Sequence, residues 1–278
     1  MSHAWKYERR EWMSSALGRT GHVGVLRPSD ARVRGSIYFL HGGNGDDRQW
    51  LESDLTSHMG ADVRAVCERR GIQVILPGIG MSFLRDPSDA AEPSFWRHFV
   101  DDVIPSVEAG TETTAASRWV TGISMGGYAA LSAMFRRPEL FAGCGVHFPG
   151  VIDFDPFDAA ALDQYRAHTG ITPEMADVLA ACFRGSFRDA DELARHDPLL
   201  LLRGLDATRL RGKGLYLDVG TADGFGLQRS CDRLAAELSH RGVPITYERV
   251  PDGQHDMAFV QARIGRLCSA LLGIDAGP

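Results

Sequence analysis

Residues Arg118–Leu131 read "RWVTGISMGGYAAL". Arg118–Gly122 carries β-branched and aromatic residues and reads as a strand. Ser124–Arg137 reads as a helix, stopped by Pro138. Between them, Gly122-Ile123-Ser124-Met125-Gly126 squeezes the strand-to-helix turn into a few residues with a hydroxyl at its tip. So tight a turn needs small flanks, because a side chain at either glycine would run into neighbouring backbone. Two readings compete. Either Ser124 is a nucleophile held clear of a sheet, with helix amides aimed at developing negative charge, or the glycines only let a helix pack closely. The strand immediately before and the helix immediately after favour the nucleophile. Gly127, just outside the pattern, is assigned to helix–strand packing.

The same alternation extends in both directions. Toward the N-terminus, strands are expected at Gly21–Pro28, Arg34–Leu40 and Ile72–Pro77, and helices at Ala61–Arg70 and Phe95–Glu108, the latter bent near Pro105. Toward the C-terminus come strand Ala142–Phe148, strand Gly214–Val219, helix Gln228–Arg241, strand Ile245–Val250 and helix Ala258–Leu272. Strand and helix in turn imply an α/β fold with a mostly parallel central sheet and helices on both faces. The rhythm breaks over residues 149–212, where Pro156, Pro173 and Pro198 interrupt helix-like pieces and no strand is evident. The chain is expected to be one domain, 1–278, with 149–212 as a cap-like insertion that sets specificity.

Composition narrows the function. A chain of 278 residues with 44% hydrophobic content can bury a substantial core. A net charge of −6 argues against a nucleic-acid partner, which requires a basic face. The polar start "MSHAWKYERREWMSS" lacks the apolar core of a signal peptide, and no apolar run reaches the roughly 20 residues that cross a bilayer. The five cysteines are scattered without a C-x-x-C pair, so neither a metal site nor a disulfide framework is indicated, and a reducing cytoplasm is the expected setting. Cys144, Cys231 and Cys268 fall in apolar patterns and are expected to be inert core thiols.

A serine hydroxyl needs a base to take its proton, and that base needs a third group to orient it. On a nucleophile-elbow fold the acid follows a later strand and the histidine follows the last one. Both places are filled. "GLYLDVG" runs into "TADGFG", which carries Asp223, and "ITYERV" runs into "PDGQHDM", which carries His255. Both loops leave the carboxyl ends of their strands, where chemistry gathers in open parallel sheets. Asp218 lies within its strand and is expected to be a structural carboxylate. His58, His98 and His240 fall on or beside helix patterns and are expected at the surface, as are His168 and His196 in the irregular stretch. His147 ends a strand and is a candidate to line the pocket.

An oxyanion hole needs two backbone donors. Met125, directly after the serine, supplies one. "FLHGGNGDD" (Phe39–Asp47) follows an early buried strand, and Gly43 is the expected second donor, with Gly42 and Asn44 as neighbours in the loop. His41 is expected to hold that loop through ring hydrogen bonds. The loop lacks the Gly-Lys-Ser/Thr ending of a phosphate loop. Asn44, Trp50, His147, Phe83 and Phe225 are the candidate substrate contacts.

Four blocks, "YFLHGGNGDDRQW", "VTGISMGGYAALSAMFRRPELFAG", "LDVGTADGF" and "VPDGQHDMAF", together resemble the esterase D and S-formylglutathione hydrolase group, whose relatives include feruloyl esterases and secreted mycolyltransferases. They run from Tyr38 to Phe259. The resemblance implies the α/β-hydrolase fold, Ser124 as nucleophile, Asp223 as acid, His255 as base, and no metal or organic cofactor. Three departures bear on substrate. "HFPG" (His147–Gly150) stands where relatives usually have a small Ser-Gly, Met257 stands where many have Trp, and the cysteine-bearing loop typical of true S-formylglutathione hydrolases is replaced by "HGGNG". The expectation is a serine esterase or thioesterase working through an acyl-enzyme on a small-molecule substrate, with neither nucleic acid nor membrane as partner. An acyltransferase with an alcohol or amine acceptor would use the same three residues. A catalytically silent binding protein would be expected to lack one of them.

Overall fold

Eight strands make one sheet in the order β1-β2-β4-β3-β5-β6-β7-β8. They are β1 (Trp5–Ser14), β2 (Arg19–Pro28), β3 (Gly35–Leu40), β4 (Ile72–Pro77), β5 (Arg118–Ile123), β6 (Gly143–His147), β7 (Gly214–Gly220) and β8 (Thr246–Val250). The structure is a computed structural model and describes residues 5–29 and 31–274. From β4 across to β8 neighbours run parallel, while β1 and β2 form an antiparallel hairpin whose second strand pairs with β4. This is the mostly parallel α/β sheet expected from the alternation, in the α/β-hydrolase form that the resemblance implied. All six residues of β3 and of β4 are buried, as strands covered on both faces must be.

The helices that matter here are α1 (Ala61–Arg70), α2 (95–108), α3 (Met125–Arg136), α4 (Ala159–Thr169), α5 (Pro173–Ser186), α6 (Ala190–His196), α7 (Pro198–Gly204), α8 (Gln228–His240) and α9 (Met257–Leu272). α9 packs on β6 and β7 and against α1, whereas α3 packs on β5 and β6 and against α7. Gly71, in the left-handed region at φ 66°, closes α1 as the sequence implied. Within α2 the ladder widens to a π turn over His98–Val103 just before Pro105. That widening makes room for a ring that would otherwise press on the carbonyl four residues earlier, so the irregularity sits ahead of the proline rather than at it.

Two features differ from the sequence expectation. The polar N-terminal stretch is a ten-residue edge strand, β1, whose charged residues lie mostly exposed. Charge along an edge discourages pairing with another chain, and it also hides the alternation that marks a strand. The stretch 149–212 is more regular than its prolines suggest. Pro173 and Pro198 each occupy the first turn of a helix, where a missing N–H costs nothing, and Thr172 and Asp197 cap those helices. Among the described residues no helix is long and apolar enough to cross a membrane.

Register fixes where the loops emerge. Leu40 pairs with Gly122, Ile123 with His147, and Gly220 with Val250, so β3, β5, β6, β7 and β8 all end at one edge. The crossovers from β3 and β5 diverge to opposite sides, which opens a crevice between the ends of those two strands.

Candidate active site

Ser124 stands at that crevice. Its backbone is held at φ 50°, ψ −117°, a conformation costly to a residue with a Cβ. Two hydrogen bonds pin it: its N–H donates to the His147 carbonyl at 3.2 Å, and its own carbonyl accepts from the Gly150 N–H at 2.8 Å. The flanking glycines are required by space. A Cβ on Gly122 would lie 2.3 Å from the Gly126 carbonyl oxygen, and one on Gly126 only 2.0 Å from that of Leu40. Gly127 lies against Pro149, where a Cβ would approach Cα to 2.9 Å.

The loops after β7 and β8 bring Asp223 and His255 to the same place. His255 Nε2 lies 2.9 Å from Ser124 Oγ, and His255 Nδ1 lies 2.7 Å from Asp223 Oδ2. The other Asp223 oxygen accepts from the Phe225 N–H at 2.9 Å, so both carboxylate oxygens are engaged and the side chain is fully buried. Two aromatic rings clasp the imidazole, Phe148 at 4.2 Å and Phe225 at 4.7 Å between centroids. Asp256, next to His255, turns away to cap α9 by accepting from the Phe259 N–H.

On the opposite side of the crevice lies the loop after β3. His41 is buried and uses both ring nitrogens: Nδ1–H donates to the Gly42 carbonyl at 2.8 Å and Nε2 accepts from the Ile79 N–H at 3.0 Å. Burial lowers its pKa, outweighing the Gly42 bond, and keeps it neutral. The Gly42 N–H donates to Gln49 Oε1, and the Asn44 N–H faces the Met81 sulfur at 3.4 Å. The amides of Gly43 and Met125 donate to no protein acceptor among the described residues. Both residues border a cavity of about 250 Å³ that also reaches Ser124 and His255.

Of the candidate contacts, Asn44, Phe83 and Phe225 line this cavity. Trp50 does not. It is buried in the core, edge-on to Phe39, with its N–H donating to Thr56. His147 is also corrected. As the last residue of β6 it faces the other side of the sheet, where Nδ1 donates to Asp218 at 2.6 Å, and the next residue, Phe148, enters the cavity instead. Asp218 is the structural carboxylate expected. Burial alone would raise its pKa, but His147, Tyr216 and Arg263 outweigh this and hold it below the usual range. His98 and His196, expected at the surface, are buried and tie segments together: His98 to Ser14 and Asp102, His196 to Asp86 and Glu192.

The sequence reading missed the wall formed by Met81 and by Val178, Leu179, Cys182 and Phe183 of α5. The only signal was the period of the α5 stretch "PEMADVLAACF", which shows an amphipathic helix without showing what its apolar face meets.

The model of the "Putative esterase" family matches residues 14–264. Among curated proteins, the dipeptidyl aminopeptidase BIII of Pseudoxanthomonas mexicana is 24% identical over 186 residues, 63% of this chain but only 24% of that protein's length. Similar solved structures include a ferulic acid esterase (18% identity, TM-score 0.72, covering 98% of this chain and 99% of that one). An S-formylglutathione hydrolase from Staphylococcus aureus follows the same fold (18%, TM-score 0.67, 97% and 99%), as does MPT51 of Mycobacterium tuberculosis (16%, TM-score 0.66, 96% and 100%). At such identities these structures speak for the fold alone, whereas the family match takes in most of the chain. The chain belongs to the "Putative esterase" family and has the α/β-hydrolase fold.

Proposed function

We propose that the chain is a carboxylesterase or thioesterase that works through an acyl-enzyme on Ser124, with residues 149–212 forming a cap over the site of a single domain. The observation that carries this reading is the unbroken run of contacts from hydroxyl to imidazole to carboxylate, 2.9 Å and then 2.7 Å. His255 Nε2 takes the proton as Ser124 Oγ attacks the ester or thioester carbonyl. Asp223 fixes the tautomer with Nδ1–H and stabilises the imidazolium that forms. The carbonyl oxygen, now negative, accepts from the Gly43 and Met125 amides, whose freedom from other acceptors supports this role. His255 then protonates the departing alcohol or thiol. Water, deprotonated by the same nitrogen, attacks the acyl-enzyme, and the free acid leaves as the proton returns to Ser124.

A fluorophosphonate probe tests the reading directly, since it phosphonylates a serine only where base and oxyanion donors are assembled. Native protein is expected to be labelled at Ser124, and Ser124→Ala is expected to retain its fold and lose about 10³-fold or more in ester turnover. Folded protein in which Ser124 resists the probe, or an alanine variant that keeps its rate, would overturn it.

A further inference from the structure

The cavity beside Ser124 has two unlike sides. Its polar groups, Asn44, Gln49, His255 and Asp256, come from the loops after β3 and β8. The wall opposite is built by Met81 and Phe83, which precede α2, and by Val178, Leu179, Cys182 and Phe183 of α5. In that wall, among the described residues, the sole side chain able to donate a hydrogen bond is the Cys182 thiol, and burial raises its pKa, so it remains neutral. Among the described residues no lysine or arginine lines the cavity, and the one carboxylate is Asp256 at the rim, exposed to water. A carboxylate on the bound acyl group would therefore meet an apolar wall with no cation to pair it. A phenolic hydroxyl would find no oxygen acceptor in that wall, and leaving such a group unpaired is costly. Size sets a second limit: a cavity of about 250 Å³, small among ligand sites, shelters a short to medium chain rather than a long one.

Resting on the hydrolase reading above, we infer that the site takes esters of neutral, medium-length aliphatic acids, the chain lying against Met81, Phe83 and α5. The chemistry is the acyl transfer already written. What the wall adds is transition-state binding that grows with each methylene buried, up to about fourfold in kcat/KM per group. Chains too long for the cavity extend past its exposed lining, which includes Met81 and Val178, into water and gain nothing further.

The test uses the full chain and 4-nitrophenyl esters of acetic, butanoic, hexanoic, octanoic and dodecanoic acids, with the succinic and 4-hydroxycinnamic monoesters alongside. From acetyl to hexanoyl, kcat/KM is expected to rise at least about tenfold, and then to level off, changing less than about threefold from octanoyl to dodecanoyl. The succinyl ester should react at least about thirtyfold more slowly than the butanoyl ester of equal carbon count. Placing a charge on the wall with Val178→Asp, at a position exposed enough to tolerate it, should lower the hexanoyl-to-acetyl ratio at least about fivefold. A flat chain-length profile, a succinyl ester as fast as butanoyl, a 4-hydroxycinnamoyl ester faster than hexanoyl, or an unchanged ratio in Val178→Asp would each overturn the assignment. Fluorophosphonate labelling is scored on the same sample. If Ser124 is labelled and the acyl pattern fails, this inference alone falls, whereas absent labelling removes the hydrolase reading beneath it.

Discussion

His41 shows how one buried side chain can govern a backbone donor it does not touch. Its Nδ1–H holds the Gly42 carbonyl, and Gly42 O and Gly43 N–H belong to one trans peptide plane, so fixing the first aims the second the opposite way. The other ring nitrogen, accepting from Ile79, locks the tautomer that can do both. His41→Ala should free this peptide to rotate. Losing an oxyanion donor outright costs about 10²- to 10³-fold, so misaiming one should lower kcat about 10- to 100-fold while KM moves little. Steady-state kinetics on a folded variant would check this, and an unchanged kcat would deny the loop its proposed role. That Ser124, Asp223 and His255 meet was legible in the sequence because each lies in the turn or loop after a strand, in the order such a site requires. Trp50 and His147 were misread because pocket and core are equally apolar in sequence. Which one a residue enters depends on a half-turn of strand phase, as the exchange of His147 for Phe148 shows.

Elements buried on both faces were the easiest to read, because in β3, β4 and β5 apolar residues dominate and Ser36, Gln73, Arg118 and Thr121 interrupt them only singly. β1 escaped notice for the opposite reason, since an edge strand keeps its charges. The helices of 149–212 were blurred by prolines that turned out to begin them. At this scale glycines separate by neighbourhood rather than by identity. Gly126, in the first turn of α3, has no space for a methyl group, and the strand-to-helix turn would have to shift to admit one. Gly185, in the last turn of α5, has nothing within 4 Å of an added Cβ. Gly126→Ala should therefore destabilise by about 3 kcal/mol or more, the range of overpacked and strained sites. Gly185→Ala should stabilise by about 0.5–1 kcal/mol through helix propensity and a less flexible unfolded chain. Urea midpoints of the two variants, bracketing the parent in opposite directions, would bear this out. A tolerated Gly126→Ala would mean the turn is far less crowded than its geometry indicates.

Across the molecule, three buried histidines tie together segments distant in sequence. His98 joins the end of β1 to α2, His41 joins the loop after β3 to the one after β4, and His196 joins α6 to the segment around Asp86. In each, burial is the largest influence and lowers the pKa, even though Asp102 pulls His98 upward, and the Glu192 carbonyl does the same for His196. An unfolded histidine titrates near 6.5, so just below that pH the unfolded chain binds protons that the native molecule refuses. Stability should therefore be fully present above about pH 6.5 and decline as the pH drops, by at most about 1.4 kcal/mol per pH unit for each histidine. The decline should level off once the pH passes below the lowered native values. Carboxylates such as Asp218, whose native pKa is also depressed, act in the same direction but only at lower pH, below about 4. The two contributions are thus separable along the pH axis. Urea midpoints taken from pH 7.5 to 5 should fall, and His98→Gln should show a shallower fall than the parent. That comparison isolates the histidine, because the variant removes its proton while leaving every carboxylate in place. Parallel slopes for parent and variant would show that His98 is no weaker a base in the folded chain than in the unfolded one, contrary to its burial.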